Sequence, residues 1–149
     1  MAGEAAPAPI PAALREYVIE RAGRRCEYCL VYDDDSYLPH HVDHIISRKH
    51  GGASIPSNLA YACYRCNLWK GTDLASVDAE TGLLAPLYHP RQEEWSSHFR
   101  VDAQMRIQGL TPSGRATAAL LKFNLAKRVE ERAALAELGR YPEPFPGIH

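Results

Sequence analysis

No stretch of this 149-residue chain is apolar enough to cross a membrane. The opening MAGEAAPAPIPAA lacks the basic start and long apolar centre of a secretory signal. The expectation is therefore a soluble protein of a reducing, cytoplasmic compartment. Nor is there an excess of positive charge: 17 Lys and Arg stand against 18 Asp and Glu, a net charge of −1. That balance argues against a high-affinity, non-specific nucleic-acid binder. It does not exclude an enzyme that borrows positive charge from a bound cation. No internal repeat is visible. Cysteine is scarce, with four in all, and those four fall into two Cys-x-x-Cys pairs, Cys26/Cys29 and Cys63/Cys66. In a reducing compartment this spacing reads as metal ligation rather than disulfide pairing.

Between and around the second pair runs HVDHIISRKHGGASIPSNLAYACYRCNLWK, from His41 to Lys70. It brings together a carboxylate and a histidine (Asp43, His44), two glycines (Gly51, Gly52), Asn58, and the step Cys66-Asn67. Four thiolates suit tetrahedral Zn²⁺ in a closed, structural site. Asp43 and Asn67 offer oxygen donors, which favour a hard cation such as Mg²⁺ or Mn²⁺. Neighbours on a strand point to opposite faces. For Asp43 and His44 to serve one site, the strand expected over His40–Ile46 must bend or end there.

This ordered set, Cys26-x-x-Cys29, His41-Val42-Asp43-His44-Ile45, Gly51-Gly52, Asn58-Leu59 and Cys63-x-x-Cys66-Asn67…Lys70, resembles the HNH nuclease family in its four-cysteine, zinc-containing form. The resemblance covers residues 26–70. It implies an α+β fold of the ββα-metal type, with structural zinc on the four cysteines. It also implies a catalytic divalent cation on Asp43 and Asn67, His44 as general base, and Asn58 bracing the loop while its carbonyl orients the His44 ring. The activity implied is metal-dependent cleavage of DNA, double-stranded by expectation, to 3′-hydroxyl and 5′-phosphate ends. His41 is open between a contact to phosphate or metal and packing beside the knuckle. Arg65 and Lys70 are expected phosphate contacts, with a solvated helix face as the alternative. Trp69 receives no role.

Along the rest of the chain, an Ala/Pro-rich tail is expected over 1–10 and a helix from Pro11 to Gly23. The nuclease core is expected over 11–75, an extension of hairpins and helices over 76–140, and a tail over 141–149. Within the extension, LASVDAETGLLAPLY reads as a hairpin and 90–97 as a short helix. Residues 99–110 read as a strand pair. Thr111-Pro112 starts a helix to Phe123, and Asn124 caps another to Leu138. Arg115, Lys122 and Arg128 read either as a backbone-tracking face or as plain solvated surface. Two competing functions stay open: a zinc-knuckle module that binds nucleic acid or protein without catalysis, and a nuclease acting on RNA. The oligomeric state, a homodimer included, is open too.

Overall fold

A computed structural model describes residues 9–142. The expected tails over 1–10 and 141–149 lie outside this range apart from residues 9, 10, 141 and 142. Among the described residues no helix is long and apolar enough to cross a membrane.

The first helix, α1 (Ala12–Arg21), buries Val18 and leads to Gly23, whose φ of 64° ends it. The chain then enters the first knuckle. Two four-residue strands follow, β1 (His41–His44) and β2 (Leu59–Ala62), paired antiparallel with Asp43 opposite Ala60. β2 is buried throughout. Helix α2 (Tyr64–Lys70) opens straight after the hairpin, and Cys63 is its N-cap through a Cys66 N–H to Sγ bond. The helix therefore starts within the second knuckle. β1, β2 and α2 together make a ββα-metal unit inside a mixed α+β fold.

The remainder is two further antiparallel hairpins and three helices. β3 (Ala75–Val77) pairs with β4 (Leu84–Pro86), and β5 (Phe99–Val101) with β6 (Ile107–Gly109). Between them α3 spans only Trp95–His98, shorter than the helix expected over 90–97; Glu93, before it, accepts from the His89 N–H and pairs with the His98 ring. α4 (Pro112–Leu120) starts as its sequence demands, with Thr111 Oγ1 accepting from Gly114 N–H at 3.0 Å. It ends at Leu120, three residues short of Phe123.

α5 (Ala126–Glu137) is not capped by Asn124. That side chain faces β6 instead, accepting from Ile107 N–H and donating to Ile107 O, both at 2.9 Å. It replaces a missing ladder partner at the sheet edge.

One apolar cluster joins the knuckles to the C-terminal half through Tyr28, Ile45, Trp95, Phe99, Ile107 and Phe123. Directional bonds fix the same seam. The Trp95 indole donates to Tyr28 O at 2.8 Å, and the Tyr141 hydroxyl to Cys29 O at 2.9 Å. Arg115, on α4, is tied to the β3–β4 hairpin by Asp78 at 2.8 Å and Glu80 at 3.1 Å. It staples a hairpin to a helix.

Candidate functional site

The four sulfurs of Cys26, Cys29, Cys63 and Cys66 are buried and lie within 4.8 Å of one another. Zn–S bonds of about 2.3 Å in a tetrahedron separate sulfurs by about 3.8 Å, and Cys29 Sγ lies 3.7 Å from Cys63 Sγ. Each knuckle aims backbone donors at its first sulfur. Tyr28 and Cys29 N–H point to Cys26 Sγ at 3.4 and 3.3 Å, and Cys66 N–H to Cys63 Sγ at 3.4 Å. Such bonds stabilise anionic sulfur. No disulfide forms among the four. Donor type, separation and polarised surroundings all fit zinc.

Arg128, from α5, reaches the same sulfurs. Its guanidinium is 4% exposed and lies 3.2 Å from Cys66 Sγ and 3.8 Å from Cys63 Sγ. Burial alone would push its pKa down; the thiolates of Cys66, Cys29 and Cys63 outweigh it and push it well up. Neither sequence reading of Arg128, backbone tracker or solvated cation, describes a side chain placed like this. Trp69, half-buried on α2, lies under both Lys122 Nζ at 5.1 Å and the Arg128 guanidinium at 5.7 Å from its ring centre. It packs the seam between α2 and α5.

The second constellation sits where β1 ends. The strand stops at His44, and the next two backbone positions are captured by other groups. Asn58 holds the following loop with three bonds: Oδ1 accepts from Ile46 N–H at 2.9 Å, and Nδ2 donates to Ile46 O and Ala53 O, each at 2.9 Å. Its backbone carbonyl accepts from Ile45 N–H at 2.8 Å. The glycine pair makes this closure feasible. Gly51 takes φ 86°, and a Cβ on Gly52 would stand 1.7 Å from Ile46 O.

Lys70, expected on a phosphate, is turned inward. Its side chain is 2% exposed, and its ammonium lies 3.1 Å from Asp43 Oδ2. It also donates to the carbonyls of His44 at 3.2 Å and Ile45 at 3.1 Å. A buried ammonium needs this saturation, and those carbonyls belong to the residues where the ladder has just ended. Asp43 Oδ2 also accepts from the Tyr28 hydroxyl at 3.0 Å. Burial pushes the Asp43 carboxyl above its usual range, while Lys70 and Tyr28 pull the other way.

His44 is half-buried, its Nε2 lying 2.8 Å from Ser54 Oγ. Arg48 lies beside both: its Nη2 donates to Ser54 Oγ at 3.0 Å, and its Nε is 3.4 Å from His44 Nε2. Burial first and Arg48 second push the imidazole below its ordinary value, which favours the neutral ring near pH 7.

Asn67 lies three residues before Lys70 on α2, on the same side of that helix. Its backbone closes the helix ladder, accepting from Gly71 N–H. His41 is exposed at the outer end of β1, opposite Ala62. Arg65 faces away from this constellation. Its guanidinium grips Glu131 of α5 with bonds of 2.6 and 3.1 Å and lies over Tyr64.

Sequence reasoning missed Tyr28, Ser54 and Arg48, and it gave Arg128 no place at the sulfurs. The first sits inside a Cys-x-x-Cys, where either middle position is free to vary, and the next two sit in a loop with no periodicity. Arg128 is 62 residues from the sulfur it contacts.

No curated protein and no solved structure shows a significant match to the chain. Residues 26–73 match the family model described as HNH endonuclease. That span holds both knuckles, the β1–β2 hairpin and α2, so over residues 26–73 the chain is similar to the HNH endonuclease family.

Proposed function

We propose that the chain is a metal-dependent endonuclease that hydrolyses DNA phosphodiester bonds to 3′-hydroxyl and 5′-phosphate ends. Residues 11–75 would be its catalytic core, and 76–140 an extension packed on it. The observation that supports this most is the convergence at the end of β1. There a buried carboxylate and a half-buried imidazole, adjacent in sequence, are each oriented by side chains from other segments. A zinc-knuckle module that only binds has no use for this. Lys70, Tyr28, Asn58 and Ser54 commit buried polar groups to positions that the cysteine cage does not need.

Asp43 and Asn67 would hold the divalent cation, Mg²⁺ or Mn²⁺. Such an ion, when bound, supplies charge stabilisation for the phosphate and for the departing 3′ oxygen. Asp43 Oδ2 is committed to Lys70 and Tyr28, which leaves Oδ1 for the ion. Because Lys70 already balances the Asp43 charge, ion affinity without substrate would be weak and would rise once a phosphate adds its own oxygens. His44 would take the proton of the attacking water on the ring nitrogen turned away from Ser54. The Ser54 contact fixes the ring plane. His41 remains a proposed nucleic-acid contact. Arg65 would serve as one only by exchanging Glu131 for a phosphate oxygen.

Purified protein and a supercoiled plasmid, with Mg²⁺, Mn²⁺ or EDTA, test the reading. Nicking should require the ion. Asp43→Ala and Asn67→Ala should lose activity that excess Mn²⁺ partly restores. His44→Ala should stay inactive at every ion concentration while still binding Mn²⁺. Near-normal cleavage by His44→Ala would refute the assignment of the base. A structured RNA in parallel reactions decides between the two backbones.

A further inference from the structure

Arg128 has an unusual set of partners. One guanidinium nitrogen donates to the carbonyls of Leu121 and Lys122, at 2.6 and 3.3 Å, where α4 gives way to α5. The other points at the sulfurs of Cys66 and Cys63. The rings of Trp69 and Phe123 flank it at 5.7 Å. Among the described residues no carboxylate pairs with it, although it is almost wholly buried. A guanidinium does not shed its proton in a protein, and a buried charge without a counter-charge is strongly unfavourable. Among the described residues, the groups within its reach that can carry negative charge are the cysteine sulfurs.

The cage has the complementary need. Four thiolates around a doubly charged cation carry a net charge of two minus, in a place shielded from water. Cys29 and Cys63 also line a cleft of about 420 Å³, and Arg128, Glu131 and Arg65 line it with them. Two residues of the buried cage thus reach the wall of a cleft that Arg128 also lines.

We propose that Arg128 is part of the zinc site. It cancels half of the excess negative charge of the tetrathiolate, and it controls how fast zinc leaves through the cleft. Through it the metal fastens α5 as well as the two knuckles. The inference rests on the cage holding zinc and is independent of the nuclease reading.

The test follows zinc transfer from the loaded full-length chain to the chromophoric chelator 4-(2-pyridylazo)resorcinol. Removing a partner just outside a metal's ligands typically weakens metal binding about 10–100-fold, so Arg128→Gln should release zinc about tenfold faster or more. Arg132→Gln is the packing control. Arg132 is equally buried on α5 and lines the same cleft, but it bonds Met105 O, Phe123 O and Asn124 Oδ1 and makes no hydrogen bond to a sulfur. Its variant should release zinc within about threefold of the wild-type rate, by the same scale.

Release from Arg128→Gln at the wild-type rate, or acceleration by Arg132→Gln to the same extent, would overturn the proposal. A purified chain without zinc would instead refute the cage itself. If Arg128→Gln does not fold, cobalt-substituted Arg128→Lys and Arg132→Lys decide. Only the first should shift the sulfur-to-cobalt charge-transfer band, and an unshifted band refutes the contact.

Discussion

Replacing Lys70 by Met removes a buried ammonium while keeping most of its stem volume. Three acceptors lose a donor: the carbonyls of His44 and Ile45, and Asp43 Oδ2, which keeps only the Tyr28 hydroxyl. Breaking a buried ion pair by deleting one partner costs about 3–5 kcal/mol, and each orphaned carbonyl adds about 1–3 kcal/mol unless water reaches it. The sum overshoots, because contributions that share one nitrogen are not additive. We expect a loss of about 4 kcal/mol, a large part of the about 5–15 kcal/mol that a domain of this kind has in total. At about 4 °C per kcal/mol for a chain of this length, the midpoint should fall by about 15 °C.

Urea unfolding followed by circular dichroism, with zinc in excess, measures the effect directly. The informative comparison is a double-mutant cycle with Asp43→Asn. If the ion pair dominates, the coupling should be about 2–3 kcal/mol, and the rest of the Lys70 effect should survive in the Asp43→Asn background as the cost of the two carbonyls. A coupling below about 0.5 kcal/mol would mean that Lys70 serves the backbone and not the carboxylate. The account of how Asp43 is oriented would then fail.

Three other outcomes are expected. Gly52→Ala should destabilise by more than about 3 kcal/mol, because its Cβ would overlap Ile46 O. Gly51→Ala meets no neighbour and should cost only about 1 kcal/mol for its positive φ; equal costs in urea melts would contradict this. Arg115 holds the Asp78 carboxyl well below its usual range, so Asp78 contributes stability above the unfolded value of about 3.9 and loses it as pH falls through the folded value. Asp78→Asn should therefore lower the melting temperature at pH 7, with a gap to wild type that narrows on acidification; a gap constant down to pH 2.5 would exclude the pair as its source. Purified protein should carry about one zinc per chain, and Cys63→Ser should lose both the metal and cooperative unfolding. Elemental analysis of the two proteins checks this.

What was legible in the sequence was local. A Cys-x-x-Cys step, Asp43 beside His44, paired glycines, and Thr111 before Pro112 each dictate geometry within a few residues. Spacing therefore identified the knuckles, the β3–β4 turn and the start of α4, while the β1–β2 hairpin came from the family resemblance. What was illegible was pairing over distance. Arg115 on α4, Lys122 in the turn after it and Arg128 on α5 are three cations close in sequence, and no pattern reveals that the first answers Asp78, the second lies over Trp69 and the third answers a sulfur. Lys70 was misjudged for the same reason. Its position after Cys66-Asn67 is conspicuous, but whether an ammonium faces solvent or a buried carboxylate depends on which segment packs above it. Asn124 had the composition of a helix cap, yet an edge carbonyl and N–H of β6 lay within its reach and took both ends of its amide.

The seam between the two halves also bears on the order in which the molecule is assembled. The carbonyls of Tyr28 and Cys29 receive their donors from Trp95 and Tyr141, 67 and 112 residues further along. While the chain is being synthesised, the first knuckle leaves the ribosome long before either donor exists. Zinc can gather the sulfurs once Cys66 has emerged, but those two carbonyls stay with water until the distal segments arrive. A fragment cut after α2 would keep all four cysteines of the cage and still leave its own knuckle unfinished. The cage is thus closed last by the part of the chain that carries none of its ligands.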